Sequence, residues 1–75
     1  LHGVFAVLGN RAVEVVRVDS HGTWTVFRSI DRHPVRGECP HLGKDNAIRF
    51  ARDFLTSTDP IPIWEGVVSD VGTRC

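Results

Sequence analysis

The segment "RHPVRGECPHLGK", residues 32–44, holds more potentially reactive side chains than any other stretch of the sequence. It contains a cysteine, histidines and arginines: Cys39, His33, His41, Arg32 and Arg36. Such a mixture could bind a metal ion, activate a cysteine nucleophile or contact the phosphates of a nucleic acid. It would also fit a loop that only joins a strand to a helix, so each chemistry has to be weighed against that role.

A structural zinc site normally uses four cysteine or histidine ligands in two closely spaced pairs. Cys39 and His41 form one such pair, with His33 upstream, and no second pair is present. The missing ligands would have to come from distant positions, namely His2, His21 or Cys75. We therefore expect no metal and no other cofactor, and thermal melts with and without a strong chelator should superimpose.

Nucleophilic catalysis by Cys39 would need a base within hydrogen-bond reach and a pocket that excludes water. His41 is close in sequence, but a small sheet with one helix offers little concavity. The sequence has no glycine-rich phosphate loop, nucleophile elbow or paired-carboxylate motif. We expect no catalytic residues, and the protein is predicted not to be an enzyme.

The composition is that of one ordinary globular domain. The chain has 75 residues, of which 41% are hydrophobic and 24% charged, so we expect a single domain over residues 1–75 with a frayed tail at 69–75. Nine basic residues balance nine acidic ones. A net charge of zero provides no general attraction to nucleic acid or to an anionic membrane.

The apolar runs and the cysteines bear on where the protein is located in the cell. The longest apolar runs, such as "VFAVL" at residues 4–8, are too short to span a bilayer. Two cysteines are too few for a disulfide framework. Reduced thiols and a cytoplasmic location are the expectation.

The first half of the sequence predicts three strands. "GVFAVLGNRAVEVVRVD" reads as a hairpin, with strands at about 3–8 and 11–18 joined by Gly9-Asn10, a pair that accepts the positive φ of a tight turn. A third strand follows at 23–30, with Trp24, Val26 and Ile30 on one face. That face is assigned to the core, and it also carries Arg28, whereas Phe27 lies on the opposite face.

The second half predicts one amphipathic helix over about 44–57 and a last strand over 61–68, where Pro62 favours an edge position. The predicted fold class is α+β: an antiparallel sheet of three to four strands packed against one α-helix, in the order β-β-β-α-β. The predicted core consists of Val4, Ala6, Val13, Val15, Trp24, Val26, Ile48, Ala51, Phe54, Leu55 and Ile63.

This order of signals resembles a family of small bacterial domains of unknown function. Members have a W-x-V strand, a helix with an A-x-x-x-A core and a final β segment. The matching residues here are Trp24-Thr25-Val26, then Ala47 and Ala51, then 63–68 with Gly72. These are packing motifs over about the last two-thirds of the chain. The resemblance implies an α+β fold and no catalytic residue.

Two kinds of binding function remain. In the first, the protein is a small non-catalytic module that contacts another protein or itself, because a sheet covered on one face by one helix leaves edge strands available. Trp64, on the predicted edge strand beside Pro62, is then an interface anchor or a lid of the core.

The alternative is a nucleic-acid-binding protein. Arg28, Arg32, His33 and Arg36 would contact phosphates, and Phe27 would stack on a base. The acidic residues Asp31 and Glu38 lie within the same segment, inside a Debye length of the arginines. We therefore favour protein contact, with a homodimer as one form of it, over nucleic acid, and we expect no membrane partner.

Overall fold

The computed structural model describes residues 3–36 and 39–63. Over these residues the chain forms an antiparallel sheet packed against one helix, so the predicted α+β class is confirmed. The elements are β1 (Gly3–Leu8), β2 (Arg11–Arg17), β3 (Trp24–Ile30), β4 (His33–Pro34), β5 (His41–Leu42) and α1 (Lys44–Thr56).

The β1–β2 hairpin forms where the sequence predicts it. Gly9 has a φ of 62°, whereas Asn10 is not among the residues with positive φ, which is the pattern of a type II′ turn. The pairing runs without interruption from Gly3 opposite Val16 to Leu8 opposite Arg11. No bulge therefore interrupts β2, and its valines lie on both faces of the sheet, with Val13 and Val15 buried on the helix side and Val16 half-buried on the other side.

The far side of β3 carries two short strands in the segment that the sequence suggested to be a loop. His33 in β4 pairs with Ile30, and Leu42 in β5 pairs with Trp24, so the two strands occupy opposite ends of β3. The β3–β4 turn consists of Asp31 and Arg32, both with positive φ (52° and 70°). This is the backbone of a type I′ turn, which usually contains glycine or asparagine, so its sequence gives no hairpin signal.

The helix begins at Lys44 and ends at Thr56, in agreement with the predicted range of about 44–57. Its buried residues, Ala47, Ala51 and Phe54, face β2 and β3. The buried core consists of Val13, Val15, Val26, Val35, Ala47, Ala51 and Phe54, with partly buried Ala6, Trp24, Ile30, Leu42, Phe50, Leu55, Ile61 and Ile63 packed against it.

Two residues of the predicted core are exposed. Val4 is 63% accessible and Ile48 is 41% accessible, so these two assignments were wrong. Val4 lies on the strand parity that points toward the helix and Ile48 lies at the helical spacing of the buried residues, but α1 contacts β2 and β3 much more than β1. Alternation and helical spacing identify the inward face of an element, and they do not identify how far the neighbouring element extends over it.

The segment after the helix returns to the edge of the sheet that lies away from β1. Ile63 forms an isolated antiparallel bridge with Val35, and the Arg36 amide donates a hydrogen bond to the Pro62 carbonyl at 2.8 Å. The rest of the predicted last strand, 64–68, and the predicted frayed tail, 69–75, lie outside the described residues. In the described part of the chain, no helix is long and apolar enough to cross a membrane.

Candidate interaction surface

Strand β1 exposes apolar side chains on both faces of the sheet. Val4 and Leu8, on the helix side, are 63% and 54% accessible, and Phe5 and Val7, on the other side, are 68% and 59% accessible. Its sequence, GVFAVL, contains neither a charged residue nor a proline. Most edge strands carry such residues to prevent unwanted pairing, so β1 is unusually open to a partner. We call Gly3–Leu8 the β1 edge.

The turn geometry determines which backbone groups of the β1 edge face outward. In a hairpin closed by a two-residue turn, the flanking residues, here Leu8 and Arg11, form a hydrogen-bonded pair, and bonded pairs recur at every second position. The N–H and C=O groups of Gly3, Phe5 and Val7 therefore point away from β2. Strand β1 is the terminal strand of the sheet, and no described strand pairs with this outer side.

An apolar groove separates the β1 edge from the helix. It has a volume of about 680 Å³, and its walls include Val4, Ala6, Leu8, Trp24, Ile48 and Leu55. The charged residues that line it, Lys44 and Arg52, are basic and lie on the helix side. The Lys44 ammonium lies 5.8 Å from the centre of the Trp24 ring, at one end of the groove.

The opposite face of the sheet carries a row of aromatic and acidic side chains. Phe5 is paired with Glu14 across β1 and β2, and Glu14 with Phe27 across β2 and β3. Glu14 therefore lies between the two phenylalanines. Arg32 lines shallow clefts on this face together with Phe5 and Ser29.

Arg28 is directed to the helix side of the sheet. Its guanidinium packs beneath the helix, 5.0 Å from the centre of the Phe50 ring and 5.9 Å from that of Phe54. Burial in this position lowers the pKa of Arg28 from its ordinary value. Arg28 thus contributes its stem and its cation to the packing of α1, on the face opposite Phe27.

The other predicted basic residues follow β3 in the chain, and His33, which pairs with Ile30, shares the helix-side face of the sheet with Arg28. Arg32 is exposed in the β3–β4 turn, and Arg36 is exposed beyond β4. His33 is half-buried in β4, where its Nδ1 atom has no hydrogen-bond partner among the described residues. Trp64 lies outside the described residues, so its anchoring role stays a prediction.

One buried arginine, Arg11, was not predicted from the sequence. Arg11 is 7% accessible, and its guanidinium donates hydrogen bonds to the Phe54 carbonyl at 2.9 Å and to the Asp59 carbonyl at 2.5 Å. It also lies 4.9 Å from the centre of the Phe54 ring. Arg11 therefore joins the start of β2 to the end of the helix. The available signal was its position on the same strand parity as the buried Val13 and Val15.

The described residues of the 32–44 segment form no metal-binding cluster. Within residues 3–36 and 39–63, no three side chains of histidine, cysteine, aspartate or glutamate are grouped to hold an ion. Cys39 is disulfide-bonded. The expectation of a reduced thiol was therefore wrong at this position, because a small number of cysteines does not determine their redox state.

No protein-family model, curated protein or solved structure matches the chain. The functional inference consequently depends on the geometry described above.

Proposed function

We propose that the protein is a small non-catalytic module that binds protein by accepting a strand at the β1 edge. One observation carries this proposal: an uncharged terminal strand of six residues presents apolar side chains on both faces. Strand addition uses backbone hydrogen bonds for affinity and alternating side-chain contacts for specificity. The β1 edge offers both, through Gly3, Phe5 and Val7 on the backbone and Val4 and Leu8 in the groove.

The expected affinity is modest. Full burial of a valine, leucine or phenylalanine side chain contributes about 1.5–3 kcal/mol. Four such side chains of the β1 edge are already partly covered, and association costs about 4–15 kcal/mol in lost translational and rotational freedom. A dissociation constant in the micromolar range or weaker follows from this balance.

Nucleic-acid binding through Arg28, Arg32 and Arg36 is the less favoured function. The Arg28 guanidinium packs against Phe50 and Phe54 of the helix and is half-buried, which makes it less available for a phosphate contact. Glu14 lies between the aromatic residues that would stack on bases, and the net charge is zero. An oligonucleotide titration at low salt should therefore stay flat, whereas a steeply salt-sensitive complex would favour this function instead.

Family membership and cellular location were also predicted from the sequence. Membership in the family of small bacterial domains remains a proposal, supported by the Trp24 and Ala47 motifs and by the α+β class. The cytoplasmic location is less well supported, since the disulfide at Cys39 favours an oxidising compartment.

Strand addition can be tested with a probe peptide. A labelled hexapeptide of alternating valine and threonine, with lysines at its ends for solubility, should bind saturably and perturb the amide resonances of Gly3, Phe5 and Val7. Val7→Lys should abolish this binding, because a charge on an edge strand opposes pairing. Val18→Lys is the matched control, since Val18 is also exposed, at 45%, but lies beyond the end of β2.

The proposal would be overturned by a peptide that fails to bind at millimolar concentration, or by equal binding to wild type and Val7→Lys. Equal loss in both valine variants would also overturn it, because the effect would then be independent of the β1 edge. The melting temperature of each variant shows whether it is folded in the assay.

A further inference from the structure

We infer that the partner best fitted to the β1 edge is a second copy of this chain, paired antiparallel through β1 with Phe5 on the twofold axis. This inference rests on the proposed function and specifies the partner and its register. It follows from the direction of the backbone groups, the symmetry of an antiparallel pair and the charge of the strand.

The outward-facing backbone groups select the register. Only Gly3, Phe5 and Val7 can exchange hydrogen bonds across the edge, so the best pairing places these three residues opposite three outward-facing residues of the second copy. One register does so completely: Phe5 opposite Phe5 of the second copy, and Gly3 opposite its Val7. Each of the three bonded pairs exchanges two hydrogen bonds, giving about six in total. A shift by two residues in either direction would lose one of the pairs.

The symmetry of this register keeps both helices on the same side of a continuous sheet. Antiparallel strands related by a twofold axis perpendicular to the sheet present paired side chains on a common face. Val4 then lies beside Ala6 of the second copy on the helix side, and the two apolar grooves adjoin. Phe5 meets its own counterpart on the opposite side. Exposed side chains on both faces of β1 are thus covered by one contact.

The β1 edge adds no charge of its own to this contact, and the basic residues Lys44 and Arg52 of each groove lie on the helix side. The strand is uncharged and the chain has a net charge of zero. The nearest acidic residue across the sheet, Glu14, would face its counterpart at three strand spacings, roughly 14 Å, which exceeds the Debye length at physiological salt. The four exposed side chains of β1 present roughly 400 Å² per copy, which is the upper limit of the apolar area covered and places the dimer in the weak, concentration-dependent class.

A charge-exchange experiment tests both the partner and the register. Phe5→Lys and Phe5→Glu should each be monomeric, because identical charges face each other at the axis. An equimolar mixture should associate about tenfold more tightly than either variant alone. The matched control is the pair Val7→Lys and Val7→Glu, whose mixture should gain nothing, since Val7 faces Gly3 rather than another Val7. Sedimentation velocity between about 10 μM and 1 mM measures each case, with melting curves to verify folding.

The outcomes separate this inference from the proposed function. If wild type remains monomeric to 1 mM but binds the valine–threonine peptide, the second copy is excluded as the partner and strand addition stands. If wild type dimerises and mixing restores association at position 7 but not at position 5, the register is wrong. If neither self-association nor peptide binding occurs, both fail. Concentration-dependent dimerisation with rescue confined to position 5 supports the inference.

Discussion

The two strands of the β1–β2 hairpin have similar valine-rich sequences and opposite environments. Val13 and Val15 of β2 are 2% and 5% accessible, whereas Val4 and Val7 of β1 are 63% and 59% accessible. The difference arises from the helix, which is about 10 Å wide and therefore covers about two strands at a spacing of about 4.8 Å. Hydrophobicity alone does not decide burial here. The lateral position of α1 divides the sheet into a covered centre that provides stability and an open edge available for binding.

The largest expected effect comes from removing a phenylalanine from the covered centre. Phe54→Ala should lower the free energy of unfolding by about 3–5 kcal/mol, because Phe54 is 5% accessible and packs beneath two guanidinium groups. Phe5→Ala is the matched change at the open edge and should cost less than about 1 kcal/mol in the monomer. Urea unfolding at low concentration compares the two. Similar losses would break the distinction between centre and edge.

The buried arginine of the centre should rank second. Arg11→Met keeps the apolar stem but removes the two guanidinium hydrogen bonds, which should cost about 2 kcal/mol because the Phe54 carbonyl retains only a long bond of 3.4 Å from the Ser57 amide. Arg17→Met is the control from the same strand, where the guanidinium forms exposed bonds to Asp19 and Ser20, and should cost less than about 1 kcal/mol. Equal midpoints in urea for the two variants would contradict the role assigned to Arg11. Arg11→Lys should be about as unstable as Arg11→Met, because an ammonium lacks the planar guanidinium that bonds both carbonyls.

Substitutions in the two tight turns should have smaller effects on the free energy of unfolding, and the two effects should have opposite signs. Arg32→Gly should raise stability by about 0.5–1 kcal/mol, since glycine removes the steric cost of a positive φ at that position. Gly9→Ala should lower stability by about 1 kcal/mol, because alanine would adopt a φ of 62° in the β1–β2 turn. Thermal melts measure both. A destabilised Arg32→Gly would show that the Arg32 side chain contributes more to the fold than its backbone costs.

The smallest expected effect is a pH dependence at the turn between β2 and β3. The Asp19 carboxylate accepts hydrogen bonds from the Thr23 and His21 amides, at 3.1 and 2.8 Å, which lower the pKa of Asp19 below its ordinary value. A depressed carboxyl pKa contributes stability that is present above the ordinary value and is lost as the pH falls through the folded-state value. β1 has no titratable side chain and contributes no such dependence.

Asp19→Asn should therefore reduce the difference in melting temperature between pH 5 and pH 2.5 relative to wild type. The variant would have a slightly lower melting temperature at pH 5 and a smaller further loss on acidification. An unchanged difference would mean that Asp19 is not a source of the acid sensitivity.

The sequence predicted the regular elements well because their patterns extend over several turns or residue pairs. The helix, with apolar residues recurring from Ala47 to Leu55, and the hairpin around Gly9 were both predicted to within a residue or two. Strands β4 and β5 were not predicted, because two residues are too few to show alternation. The turn at Asp31 and Arg32 was not predicted either, since these residues are not typical of a turn with two positive φ angles.

The proposed interaction surface was only partly predictable from the sequence. One helix on a sheet already implied an available edge strand. The sequence, however, led to Trp64, which follows the helix in the chain, as the anchor, whereas β1 precedes the helix. The β1 edge was not identified, because Val4 was assigned to the core by its parity. The inward parity of Arg28 was visible in the sequence, yet Arg28 was grouped with Arg32 and Arg36 as a phosphate contact, and its packing against Phe50 and Phe54 was not predicted.

The Arg11 guanidinium acts as a clamp, because it joins the start of β2 to the carbonyls of Phe54 and Asp59 at the end of the helix, and this affects the order of folding. It links residues separated by 43 and 48 positions, whereas the β1–β2 and β2–β3 pairs close short loops. Short loops close at lower entropic cost, so the three-strand meander is expected to form before the helix end reaches Arg11. Arg11→Met should then accelerate unfolding in stopped-flow measurements while leaving the folding rate nearly unchanged. The same clamp that stabilises the centre at equilibrium would thus mainly set how long the native state persists once it has formed.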